Sequence, residues 1–249
     1  MKNLSITVLT TAFALALTAT QASASSITFA QTLQVGSANQ FSILTTGGTT
    51  TVTGAGSDLF IFQVPTIFGS TPILSTFSFT ATSTQTGACG SLTCPNADSF
   101  TQQGYTGSFS YIGPGGVNLL SGTFAVDVTP TNSGGKFSST VGGGGASFAG
   151  TQTSGNPTGI VLTSDILNFA GVTNEAGGWT MTSVNPNFAV NPTSTGLSLP
   201  LAGQAFTAAF ASTFSSEGAP SSAPEPATLA LMGSALLGLG LISRKRFGR

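Results

Sequence analysis

Phe77-Ser78-Phe79-Thr80-Ala81 alternates apolar and hydroxyl residues one by one, the period-two pattern of a strand with one dry face and one wet face. The same alternation recurs in Tyr105-Thr106-Gly107-Ser108-Phe109-Ser110-Tyr111 and in Thr123-Phe124-Ala125-Val126-Asp127-Val128. Late in the chain Phe206, Ala208, Phe210, Ser212 and Phe214 fall on one side of a further strand. Shorter strands are expected at Leu59 to Val64, Ser147 to Thr151, Gly159 to Thr163, Trp179 to Val184 and Leu197 to Leu201. Gly, Pro and Asn punctuate them, as in Gly113-Pro114-Gly115-Gly116 and Asn156-Pro157. Gly142 to Gly145 lacks the lysine and helix start of a phosphate loop and reads as a flexible turn. Between the two ends of the chain there is no convincing helical stripe. Many short strands with frequent turns predict an all-β domain, an antiparallel β-sandwich or jelly roll.

Charge narrows the function classes. Charged residues are 5% of the 249, against roughly 25% in ordinary soluble domains. From Ser25 to Ala223, Lys136 stands alone against Asp58, Asp98, Asp127, Asp165, Glu175 and Glu217, a formal charge of −5. One lysine cannot neutralise a phosphate backbone, so no nucleic-acid partner is expected. The chain has no His, which excludes Ser-His-Asp and Cys-His chemistry within it. The 19 Phe argue for a folded core rather than disorder, wrapped in a surface of Ser, Thr, Asn and Gln.

The two ends carry addresses. Lys2, the apolar run Ile6 to Leu17 and the small-residue pattern Ala22-Ser23-Ala24 read as a signal peptide over residues 1–24, cut by signal peptidase before Ser25. At the other end Pro224-Glu225-Pro226 precedes an apolar stretch over 227–243 and then Arg244-Lys245-Arg246. About 17 residues span ~26 Å as a helix, a short crossing of a hydrocarbon core of roughly 30 Å. The basic cluster holds that end cytoplasmic, leaving the domain outside. Both prolines keep the helix from growing outward, so the tripeptide stays extended at the membrane face. A Pro-Glu-Pro, a short Gly- and Leu-rich helix and a basic cluster in this order resemble the PEP-CTERM sorting signals of Gram-negative bacteria. The resemblance covers about a tenth of the chain. It implies recognition of Pro224, Glu225 and Pro226 by an exosortase, removal of the tail, and association with exopolysaccharide or a biofilm matrix at the cell surface. It implies nothing about the domain upstream.

The organisation expected is a signal peptide at 1–24, a β ectodomain at 25–214, a Ser/Pro/Ala linker at 215–223 and a sorting tail at 224–249 with one transmembrane helix. Cys89 and Cys94, the only cysteines, should form a disulfide in an oxidising compartment, closing a small loop worth about 2 kcal/mol. Two thiols without His leave a metal site incomplete, and no calcium-loop pattern is present, so no metal or other cofactor is expected. An enzymatic reading would need a carboxylate pair for glycoside cleavage, with Asp127 and Asp165 the candidates. Asp165 equally fits the cap of a helical turn. A carbohydrate-binding or adhesion module would use Trp179, Tyr105 and Tyr111 as stacking rings, although all three also fit the core or its rim. A structural surface or matrix protein without catalysis accounts for the sparse chemistry best. The sugar-binding module stands second and the glycoside hydrolase a distant third.

Overall fold

The computed structural model describes residues 26–35, 39–64, 71–124, 134–151 and 160–222. These hold sixteen strands: β1 Ser26–Gln34, β2 Asn39–Thr46, β3 Thr49–Phe62, β4 Ile73–Ser83, β5 Ala88–Cys89, β6 Ser99–Ile112, β7 Asn118–Phe124 and β8 Gly134–Thr140, then β9 Gly145–Thr151, β10 Ile160–Thr163, β11 Leu167–Asn168, β12 Thr173–Asn185, β13 Val190–Pro192, β14 Ser198–Pro200, β15 Gln204–Glu217 and β16 Ser221–Ser222. The only helical element among them is the 3-10 turn Pro114–Gly116. No described helix is long and apolar enough to cross a membrane. The expected signal peptide with Ala22, Ala24 and Ser25, the span 227–243 and the basic cluster lie outside the described residues.

Alternation becomes burial directly. On β4 Ser75, Phe77, Phe79, Ala81 and Ser83 are buried, whereas Leu74, Thr76, Ser78 and Thr80 are exposed. β15 keeps the same rule over its whole length, from Gln204 to Ser216. In β6 the parity changes once. Gln102 and Tyr105 are both buried, and the register against β8 shifts between them. Gly104, with φ +71°, supplies the left-handed residue at that bulge. There β6 exchanges neighbours: its first half pairs β5 and β8, its second half β4 and β7.

The ladders form a circuit in which every pairing is antiparallel. β2 pairs β3, β3 pairs β4, β4 pairs β6, and β6 pairs β8. The path continues through β9, β12 and β15 and returns to β2. Two sandwich-like layers are therefore joined at their sides by backbone ladders, which removes exposed strand edges along the path. Towards one end β1 takes the place of β2 between β3 and β15. β7 and β10 extend the sheet from β6, and where β10 faces β12 the Glu175 carboxylate accepts the Leu162 N–H at 3.1 Å.

Aromatic rings from the two layers meet in the middle. Phe77 on β4 lies 4.6 Å from Phe210 on β15, and Phe109 on β6 lies 4.9 Å from Trp179 on β12. Within one layer the β4–β6 pairing is itself tight: a Cβ on Gly107 would sit 2.0 Å from the Thr80 carbonyl oxygen, so that position requires glycine. Composition placed a linker from Ser215, and the structure corrects that boundary. Ser215 to Glu217 complete β15 against β1, with Ser216 fully buried, and Ser221–Ser222 pair Leu167–Asn168. Hydroxyl residues here continue the alternation instead of ending it.

Candidate functional site

The three rings expected to stack on sugar are in the core. Trp179 is 1% exposed, and Tyr105 and Tyr111 are 0% exposed, so no ligand reaches them. Their polar tips are satisfied internally, which is why they could be buried. Trp179 Nε1–H donates to the Tyr111 hydroxyl at 3.2 Å; that hydroxyl is 3.0 Å from Ser212 Oγ, which in turn is 2.7 Å from Thr32 Oγ1. The Tyr105 hydroxyl donates to Gln102 Oε1, whose amide nitrogen donates to Thr50 Oγ1 at 3.0 Å. Desolvation pushes both phenols well above their usual value. At Tyr111 the charge of Asp58 adds to this and the Ser212 hydrogen bond offsets part of it.

The carboxylates are scattered. Asp127 lies outside the described residues. Asp165 is exposed and caps no helix. Its Oδ2 accepts the Asn118 N–H at 2.8 Å while its own N–H donates to the Asn118 carbonyl at 2.9 Å, a two-point clamp between the loop after β10 and the start of β7. Asp58 is buried on β3 opposite Ser75, and Glu175 is buried on β12, where desolvation raises its pKa and the Leu162 N–H offsets part of the rise. Asp98 accepts from the Ser91 N–H at 2.9 Å, the Ser91 hydroxyl at 2.8 Å and the Ser99 N–H at 2.9 Å. Those bonds, the Ser91 hydroxyl foremost, hold its carboxyl below the usual range.

Cys89 and Cys94 form the expected disulfide, with Cα atoms 5.5 Å apart. The Ser198 hydroxyl of β14 lies against both sulfurs, 3.3 Å from Cys89 Sγ, and Gly87 exchanges backbone hydrogen bonds with Ser198. The small loop thus fastens the β13–β14 hairpin to the body of the fold. Asp98 approaches the two sulfurs closely enough to suggest a metal cluster. A disulfide offers no thiolate, however, and this carboxylate already accepts three donors.

What sequence reasoning missed lies on the outer faces. Cross-strand register aligns the wet-face residues of β2, β3, β4, β6 and β7 into rows. One row runs Ser42, Thr53, Thr80, Ser108, Thr123, and the next runs Gln40, Ala55, Ser78, Ser110, Ser121. Ser42 and Thr53 are hydrogen-bonded at 2.7 Å, as are Ser78 and Ser110. Rows of this kind repeat about every 4.8 Å across strands and ~6.7 Å along them. Where β15, β2, β3 and β4 meet, the face sinks into a groove of about 520 Å³ that also includes Asn185, Ala205 and Thr207. A second hollow of about 410 Å³ on β8, β9 and β12 is lined by Ser138, Thr140, Ser147, Thr180 and Thr182. Alternating Ser and Thr were visible in sequence as a wet face, but their rows depend on which strands are neighbours.

Fold and surface together define an all-β domain with a sealed aromatic core and outer faces rich in hydroxyls and poor in charge. Residues 222–246 of this chain match the model of the PEP-CTERM protein-sorting motif, so the chain carries that motif from the last residue of its last described strand onward. The motif implies an exosortase-targeted, exported protein that is anchored through its C-terminus before processing. Neither a curated protein nor a solved structure matches the chain.

Proposed function

We propose that this is a structural protein of the bacterial surface or extracellular matrix, delivered by export and finished by exosortase processing. In this reading signal peptidase cuts after Ala24, the helix over 227–243 holds the chain in the membrane, and Arg244-Lys245-Arg246 stay cytoplasmic. An exosortase-type enzyme then acts at Pro224-Glu225-Pro226. The observation that carries the reading is the sorting motif at residues 222–246, abutting β16 at Ser221–Ser222. Geometry supports it: Ser26 on β1 and Glu217 on β15 are register partners, so the first and last long strands reach the same end of the domain. A tail attached there leaves the opposite end, with the disulfide loop, directed away from the membrane.

The role is non-catalytic in this reading. Asp165 is engaged in its loop clamp, and the two buried carboxylates, Asp58 and Glu175, sit on different strands facing different neighbours. Bulk, hydration and contact with exopolysaccharide suit a neutral hydroxyl surface.

Intact mass and fractionation of the protein from its native cell, beside a variant with Pro224, Glu225 and Pro226 changed to Ala, test the reading. The expected result is a mature form that starts near Ser25 and lacks the tail, with the tail retained in the variant. A full-length tail in the membrane fraction of both would make the C-terminus an ordinary anchor and sink the proposal.

A further inference from the structure

We propose that the groove between β15, β2, β3 and β4 is a binding site for a neutral polyhydroxylated chain, a segment of uncharged glycan. The inference deepens the matrix reading by naming a partner for the domain's surface, and it rests on the groove alone, with no role for Trp179, Tyr105 or Tyr111.

The lining sets the chemistry. Gln40, Ser42, Thr53, Ser78, Thr80 and Asn185 present hydroxyls and amides that both donate and accept. No side chain of the lining is ionisable. An anionic polymer would require cations, and the one lysine among the described residues, Lys136, is on β8 opposite Ala149 and does not line the groove. A cationic ligand would find no carboxylate. An apolar ligand would meet the carbon surface of the floor, to which Ala55 and Ala205 contribute, but would leave the surrounding hydroxyls and amides unpaired, at a cost of roughly 1–3 kcal/mol for each. A sugar chain answers each of those groups with a hydroxyl of its own.

The shape agrees. At about 520 Å³ the groove falls within the ~300–1,000 Å³ of small-molecule clefts. It owes its depth to Ala55 and Ala205, which stand in register next to Gln40 and Ser42 where longer side chains would fill the space. Those methyl groups also give an apolar floor for the C–H face of a sugar ring, while Ser42, Thr53 and Thr80 form a straight row beside it. The Ser42–Thr53 hydrogen bond orients two of those hydroxyls before any ligand arrives, which reduces the ordering cost of binding.

The test is affinity electrophoresis of the full chain, kept soluble in a detergent without a sugar headgroup, through gels containing dextran, laminarin, galactomannan or the anionic polymer alginate. Retardation by at least one of the three neutral polymers is expected, with alginate inert. Ala55→Arg and Thr80→Arg, made singly to fill and charge the groove, should weaken the retardation about tenfold. Ser147→Arg on the second hollow should leave it unchanged, and unaltered melting temperatures would exclude misfolding as the cause. No retardation by any neutral polymer overturns the site, as does retardation that both groove variants retain. Self-association without glycan retardation would assign the face to a second copy of the chain and also overturn it. Tail processing is measured separately, so failure here leaves the sorting proposal standing.

Discussion

Two faces of one strand separate the two halves of this protein's chemistry. On β4, Phe77 and Phe79 are locked among rings from both layers, with Phe77 4.6 Å from Phe210 and Phe79 5.5 Å from Trp179. One residue away, Ser78 and Thr80 stand exposed in cross-strand rows with Ser110, Thr53 and Ser108, Ser78 hydrogen-bonded to Ser110. The inner face is held by packing and tolerates no change of volume. The outer face contributes little to stability and is free to serve contact. The difference teaches that in a chain so poor in charge, stability and recognition are divided by the pleat of the strand rather than by position in the sequence.

The sharpest way to break that division is a matched pair on β4. Phe77→Ala should cost about 3–5 kcal/mol, because its neighbours on three strands cannot all collapse into the space. Thr80→Ala, on the same strand, should stay within about 0.5 kcal/mol. Urea unfolding followed by Trp179 fluorescence reads both, and comparable costs would end the distinction.

The disulfide loop tests how far the core's hold extends. Cys89→Ser with Cys94→Ser should lose about 2 kcal/mol by the loop-entropy argument and loosen the β13–β14 hairpin that Ser198 fastens. Faster amide exchange confined to residues 190–200 is the expected signature. Uniform acceleration through β12 and β15 would show that the loop supports the whole circuit.

The smallest effect is one of pH, and it comes from a charge on the inner side. Burial raises the Glu175 pKa in the folded protein, so the native state binds a proton more readily than the unfolded chain. Stability from this group is therefore present at low pH and declines as pH rises from the unfolded Glu value through the raised native one. Glu175→Gln should flatten that decline in melting temperature, measured between pH 4 and 7. An unchanged slope would place the titration elsewhere.

Much of the strand content was legible because one-face burial imprints period two on the chain. The inward residues of β4 and β15 follow it without exception. β6 was legible only from Tyr105 onward, since the Gly104 bulge interrupts the period that joins it to Ser99–Gln102. The disulfide was legible because Cys89 and Cys94 had no other partner. The ligand candidates were not. A Tyr or Trp with its polar tip bonded inside has the same sequence signature as one waiting at a surface, and Tyr111 becomes a core residue only once Ser212, 101 residues away, is beside it.

By itself the sequence determined the all-β character, the near-absence of charge, the cysteine pairing and the sorting motif at 222–246, all of which depend on residue type and short spacing. Only the tertiary structure decided the closed circuit, the burial of Trp179, Tyr105 and Tyr111, the extension of the domain through Ser222 and the groove beside Ser42 and Thr53. Each of these depends on which strands become neighbours and in what register. That choice is made by long-range packing of side chains, and no local pattern in the chain records it.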